Sequence, residues 1–218
     1  FQEADVDQVV ISHHHEDHTG GAGYIQNTYG YPIYMDRKMI AHCRKRADYP
    51  LYRQLFWGRR PAFRANPIGQ TFESRQASWN VIETPGHAVD HLSFLNKETG
   101  QLFTGDLYVQ RKTKLVLRDE NIHAIIASLQ RVLSYDFNQI FCCHAGFIEN
   151  GRQALERKLE YLLGLAGEVD RLSKGGMNEK EIHKALFKKT YPIVKLSFGE
   201  WDSRHIVSSL IKDRGRHL

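Results

Sequence analysis

The sequence SHHHEDHTGG, residues 12–21, holds four histidines and two acids within the six positions 13–18. Histidine and aspartate are common ligands of zinc and iron, and His13, His15, Asp17 and His18 form the pattern H-x-H-x-D-H. A chain of this composition produces that pattern by chance about two times in a thousand. A tag remnant or a solvated polar loop is disfavoured, because two acids interrupt the histidines and the strand-like segment DQVVIS precedes them. The stretch therefore predicts a metal site.

The spacing within this stretch predicts ligands for two ions. Side chains alternate in an extended chain, so residues 13, 15 and 17 point to one side and His14 points away. His18 turns with the chain as a helix begins. The loop can thus offer two ligands to one ion and two to a second, and we expect Gly20 and Gly21 to let the backbone bend sharply.

Three further candidate ligands end strand-like segments. His87 ends ETPGH, Asp106 ends LFTGD and His144 ends IFCCH. Taken singly, each is more often structural, as a turn histidine, a capping aspartate or a hydrogen-bonded core histidine. In this order after H-x-H-x-D-H they are expected to be the remaining ligands. All the donors are nitrogen or oxygen atoms, which favours two zinc ions and allows iron or manganese.

The order H-x-H-x-D-H, then PGH, then GD, then a strand-end histidine resembles the metallo-β-lactamase superfamily of hydrolases, from about residue 5 to residue 148. The resemblance implies an α/β fold, an αββα sandwich with the metals at one edge of its two sheets. It implies that His13, His15 and His87 hold the first metal, that Asp17, His18 and His144 hold the second, and that Asp106 bridges both. The N-terminal strands of the family, roughly 50 residues, are absent from this sequence, so we expect a longer natural protein.

A close pair of metals predicts metal-assisted hydrolysis. Zinc lowers the pKa of bound water toward neutrality, so a bridging hydroxide is expected to be the nucleophile at pH 7. We expect Asp17 to accept a hydrogen bond from this hydroxide and orient it, which makes Asp17 the candidate catalytic residue. His91, in GHAVDH, is expected to lie behind the ligands, because the set of ligands is already full. Cys142 and Cys143 are expected to be small core residues beside His144.

Composition limits the class of protein. The chain has 218 residues, of which 41% are hydrophobic and 25% charged, as in a soluble globular domain with at most a small appendage. No stretch approaches the roughly 18 apolar residues of a membrane helix, so no membrane association is expected. The net charge of +5 is compatible with an anionic substrate but does not by itself imply nucleic acid.

Cysteine usage favours a cytoplasmic location. Cys43, Cys142 and Cys143 are odd in number and two are adjacent, which argues against a disulfide framework and for a reducing compartment. No signal peptide is visible, although one could precede Phe1, because the sequence does not begin with Met.

The pattern along the chain changes near residue 150. Residues 1–150 alternate short strand-like segments with glycine and histidine, and they are expected to form the metal-binding hydrolase core. KETG (97–100) is expected to be a hairpin turn, and residues 119–134 have helical spacing. Residues 151–218 are expected to be a C-terminal extension of helices only, with a capping box at Asn178 and Glu181 and with Asp202 capping the last helix.

A basic segment, Arg37 to Arg64, carries nine Lys or Arg residues and one acid, interleaved with aromatic residues. It is either a solvated helical face with its aromatic side chains in the core, or a wall of the substrate pocket that favours an anion. No substrate-binding residue is assigned from the sequence.

The function best supported by the sequence is hydrolysis of a small anionic thioester or ester. The second candidate is a phosphodiesterase or ribonuclease of the same superfamily, which the basic charge favours and the lack of a long RNA-gripping insertion disfavours. The third is a metal-bearing binding or sensor protein without turnover. The partner is expected to be a small, anionic molecule, and nucleic acid is less favoured.

Overall fold

The computed structural model describes residues 6–74 and 77–212. Its strands are β1 (Val9–Val10), β2 (Ile33–Met35), β3 (Asn66–Pro67), β4 (Thr71–Ser74), β5 (Ala77–Glu83), β6 (Leu92–Asn96), β7 (Gln101–Gly105), β8 (Val116–Leu117), β9 (Gln139–Cys142), β10 (Gly146–Ile148) and β11 (Trp201–Asp202). Its helices are α1 (Glu16–Thr19), α2 (Ala22–Tyr29), α3 (Arg37–Cys43), α4 (Leu51–Trp57), α5 (Ile122–Leu133), α6 (Gly151–Lys174), α7 (Glu179–Leu186), α8 (Pro192–Leu196) and α9 (Arg204–Lys212). None of these helices is long and apolar enough to cross a bilayer.

Two main sheets organise the described part of the chain. The smaller has the order β1-β2-β3 and is parallel. The larger has the order β10-β9-β7-β6-β5-β4 and is antiparallel except where β7 pairs with β9. The predicted KETG turn joins β6 to β7, and Gly100 at its end has φ +67, a left-handed conformation that glycine adopts without strain.

The larger sheet is apolar on both faces. On one face Ile82, Leu95, Leu102 and Ile140 belong to the main core, which also contains residues of α5, α6, α7 and α9. Because side chains alternate along a strand, the other face carries a row of aromatic side chains: Phe72, Trp79, Phe94, Phe103, Phe141 and Phe147, with Phe103 and Phe141 stacked at 4.8 Å between ring centroids.

The smaller sheet has its own core. Ile11, Ile33 and Met35 pack with Ala22 of α2 and Cys43 of α3. Helices therefore cover this sheet as well, and the two sheets meet where the backbone N–H of Leu92 donates to the carbonyl of Ser12 at 2.8 Å.

The C-terminal part matches most of the sequence expectations. Asn178 and Glu181 form a reciprocal capping box, and Asp202 accepts a hydrogen bond from the backbone N–H of Arg204 at the start of α9. The expectation of helices only beyond residue 150 is wrong at one place, because Trp201 and Asp202 form β11 and pair with β8. The end of the predicted last helix, residue 213, and the chain beyond it lie outside the described residues.

This topology gathers the candidate ligands at one edge of the molecule. β5 and β7 run in the same direction, since each is antiparallel to β6, and β9 is parallel to β7. Carboxyl ends of parallel strands lie at the same edge of a sheet. His87, Asp106 and His144 all follow such ends, and the loop after β1 joins them there.

Candidate metal centre

The histidine-rich loop begins as extended chain and then turns into a short helix. His15 is the residue before α1 and has φ −59 and ψ 152, so His13 and His15 lie in extended chain while Asp17 and His18 lie in the first turn of α1. His14 points away from the others, and its Nδ1 lies 2.7 Å from Oδ1 of the buried Asp90. Asp90 lies in the segment GHAVDH, and the sequence assigned it no partner, so this contact was not predicted.

The expected bend at Gly20 and Gly21 is wrong. Gly20 has φ −55 and ψ −39, and Gly21 has φ −83 and ψ −11, which are right-handed conformations open to any residue. The chain passes from α1 to α2 with little change of backbone conformation. Space, rather than a bend, requires glycine at position 20, because a Cβ atom there would lie 2.8 Å from the Glu16 carbonyl oxygen.

The first group of candidate ligands consists of His13, His15 and His87. His13 Nε2 lies 3.1 Å from His15 Nδ1, and His15 Nδ1 lies 3.0 Å from His87 Nε2. Two nitrogens bound to one tetrahedral zinc lie about 3.3 Å apart, since each Zn–N bond is about 2.0–2.1 Å. Burial, with the neighbouring imidazoles, lowers the pKa of His13 and His15 well below the usual value. Both are therefore neutral at pH 7, the form that binds metal.

The second group consists of Asp17, His18, Asp106 and His144, whose nearest donor atoms all lie within 4.8 Å of one another. His144 Nε2 is 3.0 Å from Asp106 Oδ2 and 3.3 Å from Asp17 Oδ2. His18 Nε2 is 3.4 Å from Asp106 Oδ2. The side chain of His144 is 45% exposed, whereas the first group is buried, so this group is the more accessible to a substrate.

Asp106 lies between the two groups. Its Oδ2 is also 3.5 Å from His87 Nε2 of the first group. Burial favours the protonated carboxyl, but the close ring nitrogens of His144 and His18 and the charge of His87 outweigh it and hold the pKa of Asp106 well below its usual range. A carboxylate in this position can contact cations on both sides.

Orphaned buried atoms test whether metal ions fit these residues. Among the described residues, His18 Nε2 and Asp106 Oδ1 are shielded from solvent and have no hydrogen-bond partner. Buried polar atoms in proteins nearly always have a partner. A cation between the two groups would supply one for both atoms. Seven nitrogen and oxygen donors with this spacing therefore fit a pair of zinc, iron or manganese ions.

Glu120 contacts the outer nitrogen of His87 in the first group, and it was not identified as a site residue from the sequence. Its Oε2 lies 3.0 Å from His87 Nδ1, and its Oε1 accepts the backbone N–H of Leu117 at 2.8 Å. A carboxylate on the outer nitrogen of a ligating histidine fixes the orientation of the ring and raises its basicity. Only the fold brings Glu120 to His87, 33 residues earlier, so no local pattern could have identified it.

His91 positions Asp106. It is 1% exposed and belongs to neither group of ligands. Its Nε2 accepts the backbone N–H of Asp106 at 2.9 Å, so Nδ1 carries the ring proton and donates to Thr84 Oγ1 at 2.8 Å. Burial lowers the pKa of His91 to about 3, which keeps it in this neutral form.

Arg53 is the residue of the basic segment that supports the metal loop. It forms a two-pronged ion pair with the buried carboxylate of Glu16, next to His15, and its Nη1 donates to Glu200 Oε1 at 3.1 Å. Arg60 of the same segment is 2% exposed and donates to the carbonyls of Cys43 and Pro61. These two arginines therefore stabilise the fold.

The aromatic residues of the basic segment are divided between core and surface. Tyr52 and Phe63 are buried, whereas Phe56 and Trp57 on α4 are exposed. Neither interpretation of the segment, aromatic core or pocket wall, describes it completely.

A cavity of about 260 Å³ opens beside the candidate ligands. Its lining includes His87, Asp106 and His144, and none of its lining residues comes from Arg37 to Arg64; the others are Val109, Gln110, Thr113, Leu115, Val116, Glu120, Ile125, Lys158 and Trp201. Residues 109–116 and the C-terminal part of the chain thus form the walls. In the sequence, Lys158 is a charged residue between Leu155 and Leu162 on the otherwise apolar face of α6. This pattern could have identified Lys158 as a candidate residue of the cavity.

The two adjacent cysteines have different environments. Cys142 is buried at the end of β9, as expected, but Cys143 is exposed. It lies with His18 in a smaller cavity of about 200 Å³. The expectation that Cys143 is a core residue is wrong, because the strand ends at Cys142 and the chain turns there.

Comparisons with known proteins agree with this fold and site. The family model described as metallo-beta-lactamase superfamily matches residues 1–144, and the chain belongs to this superfamily. A metallo-beta-lactamase family protein from Thermus thermophilus superposes with a TM-score of 0.71 at 20% identity, covering 97% of this chain and 76% of that one. The expected α/β sandwich, with helices at its C-terminal end, is thereby confirmed.

Some of the curated relatives are named thioesterases, and others are named lactamase-like proteins. Thioesterase pkgB of Emericella nidulans is 35% identical over 101 residues, which are 46% of this chain and 24% of the relative. Atrochrysone carboxyl ACP thioesterase of Aspergillus fumigatus is 26% identical over 155 residues, which are 71% of this chain and 43% of the relative. The chain thus spans less than half the length of these two relatives.

Proposed function

We propose that the protein is a metal-dependent hydrolase that holds two zinc ions and cleaves a small anionic thioester or ester. The observation that carries this proposal is the meeting of seven nitrogen and oxygen donors in two adjacent groups, with Asp106 between them and a cavity beside them. The thioesterase names of the two curated relatives support this choice of substrate class.

We assign His13, His15 and His87 to one ion, Asp17, His18 and His144 to the other, and Asp106 to both. Bound metals would lower the pKa of water and polarise the carbonyl of the substrate. Glu120 and His91 are positioning residues, because they act through His87 and Asp106, which they orient.

Asp17 is the catalytic residue of this proposal. Its Oδ2 faces His144, which leaves Oδ1 to accept a hydrogen bond from the attacking water and orient it. The water oxygen forms a bond with the thioester carbon, the C–S bond breaks, and the thiol departs with a proton. The products are a carboxylic acid and a thiol, so the reaction is a hydrolysis that needs no other reactant.

The proposal also includes the organisation and location of the protein. Residues 1–150 would carry the metals, and residues 151–218 would form an extension that completes the cavity through Lys158 and Trp201. The three cysteines are free thiols, as expected in a reducing cytoplasm.

The test is thiol release from glutathione and coenzyme A thioesters by the zinc-loaded full chain. Asp106→Ala is the blank, and Asp136→Asn, an exposed residue after α5, is the matched control. Turnover that is lost in Asp106→Ala and kept in Asp136→Asn supports the proposal. Absence of turnover by protein that holds two metals refutes it.

The same preparation tests the other two candidates. Hydrolysis of a phosphodiester, with substrate affinity that falls steeply as salt rises, would identify a nuclease. Ligand binding without turnover, unchanged in Asp106→Ala, would identify a sensor.

A further inference from the structure

The cavity beside the metal centre is lined by apolar side chains and by several polar ones. Leu115, Val116 and Ile125 contribute apolar surface, and two further lining residues, Lys158 and Trp201, carry N–H donors. Both polar residues come from the C-terminal part of the chain, Lys158 from α6 and Trp201 from β11. The sequence assigned neither of them a role.

Trp201 presents a hydrogen-bond donor without an acceptor. Its Nε1 is shielded from solvent and has no hydrogen-bond partner among the described residues. An indole N–H can only donate, and leaving a buried donor unpaired is costly. Trp201 lines the cavity, so a ligand oxygen there would supply the acceptor if the indole ring turns its N–H toward it.

Lys158 is the second donor. It is 5% exposed, and its Nζ donates to the carbonyl of Tyr108 at 2.5 Å, which uses one of its three hydrogens. Burial lowers its pKa to about 8, so the ammonium form still predominates at pH 7. Glu120, which lines the same cavity, already uses both carboxylate oxygens on His87 and Leu117. The charges of Glu120 and Asp106 act on the ammonium group and raise its pKa, but within the described ranges neither carboxylate forms an ion pair with it.

We propose that this cavity is the acyl pocket of the enzyme and that it selects a compact acyl group whose far end carries a carboxylate, bound by Lys158 and Trp201. The inference rests on the proposed function and narrows its substrate class. Size supports it, because a cavity of about 150 Å³ holds benzene, so 260 Å³ accommodates a chain of about five to seven carbons together with a carboxylate. Charge supports it, because a carboxylate pairs more strongly with a buried ammonium than with a hydrated one.

The test compares two thioesters that differ only at the far end of the acyl chain. Glutaryl and pentanoyl N-acetylcysteamine share the same thiol and the same number of acyl carbons, but only glutaryl ends in a carboxylate. With the zinc-loaded full chain we expect kcat/KM for the glutaryl thioester to exceed that for the pentanoyl thioester about tenfold to a hundredfold, as for a hydrogen bond to a charged group. Equal values would overturn the inference.

Two substitutions assign this preference to the cavity. Lys158→Met keeps the length and apolar stem and is expected to remove the preference by lowering only the glutaryl value. Trp201→Phe keeps the ring and is expected to reduce the preference severalfold. The matched controls are Lys174→Met, exposed at the end of α6, and Trp79→Phe, whose Nε1 donates to Ser74; both should keep the preference.

A binding measurement separates this inference from the proposed function. In the zinc-loaded protein, the indole N–H signal of Trp201, assigned by its absence in Trp201→Phe, should shift downfield with glutarate and much less with glutaramide, its neutral diamide. If no thioester is hydrolysed, the proposed function fails, and this shift still decides whether the cavity binds a carboxylate. If thioesters are hydrolysed but the signal responds equally to both compounds, the acyl-pocket inference fails alone.

Discussion

Substitution of Gly105 by alanine tests how the structure positions Asp106. Gly105 ends β7 with φ +51, directly before Asp106. A Cβ atom at this position would lie 2.6 Å from Nε2 and 3.0 Å from Cε1 of His91, and 3.2 Å from Cβ of Ser12. His91 cannot move away easily, because it is buried and bonded on one side to Thr84 and on the other to the N–H of Asp106.

The expected loss of stability has two parts. A non-glycine residue in the left-handed region costs about 1–2 kcal/mol, and overpacking a buried site costs about 1–3 kcal/mol. Gly105→Ala should therefore lower the free energy of unfolding by about 2–5 kcal/mol. For a chain of this size Tm should fall by about 4–20 °C. Movement of His91 also displaces Asp106, so the variant should bind less metal than the native protein.

Gly164→Ala is the matched control for this experiment. Gly164 lies inside α6, and within the described structure a Cβ atom there has no neighbour within 4 Å apart from the nearby backbone of the helix itself. Alanine in a helix interior is favoured over glycine by about 0.5–1 kcal/mol, so Tm should rise slightly. The assays are thermal unfolding by calorimetry and metal analysis after gel filtration. A Tm of Gly105→Ala within about 2 °C of the native value, with unchanged metal content, would refute the reasoning.

Three other substitutions probe the surroundings of the site. Glu120→Gln should lower metal affinity about 10–100-fold, measured by competition with a chelator. The control Glu160→Gln, at an exposed position on α6, should leave metal affinity unchanged. An equal loss of affinity in both variants would contradict the role of Glu120. Arg53→Met should lower the free energy of unfolding in urea by about 3–5 kcal/mol, because it leaves Glu16 unpaired and buried. A decrease below about 1 kcal/mol, as expected for an exposed ion pair, would refute this prediction. For Asp202, burial raises the pKa but hydrogen bonds from Arg204 outweigh it and lower the pKa below 3.8. Its carboxylate therefore adds stability above about pH 4 that is lost as the pH falls below that value. The stability difference between native protein and Asp202→Asn should be present at pH 7 and shrink toward pH 3; a difference that does not change with pH would show that the charge contributes nothing.

The parts of the fold that could be predicted from the sequence depend on local rules. The turn at KETG, the helix over residues 119–134 and the capping box at Asn178 follow from spacing and from turn and cap chemistry within a few residues. The alternation in the histidine loop likewise separates His14 from His13 and His15. These features need no knowledge of where distant segments lie.

The parts that could not be predicted depend on contacts between distant segments. Three contacts form only in the folded chain. Glu120 contacts His87, Arg53 contacts Glu16, and β11, which contains Trp201, pairs with β8. Gly20 illustrates a different limit of sequence-based prediction. The sequence shows a glycine, but it does not show whether the backbone conformation or the lack of space for a Cβ atom requires it. Lys158 could be recognised in the sequence as a charged residue on an apolar helix face, but the residues that surround it in the fold could not be predicted.

The most direct test of the account is the number of metal ions bound by the full chain. The zinc-loaded protein, freed of excess metal by gel filtration, should contain two zinc ions per chain by mass spectrometry. Asp106→Ala should contain one or none, because Asp106 contacts both groups, and the exposed control Asp136→Asn should retain two. A native protein with no more than one bound metal, or an Asp106→Ala variant that retains two, would contradict the two-metal centre.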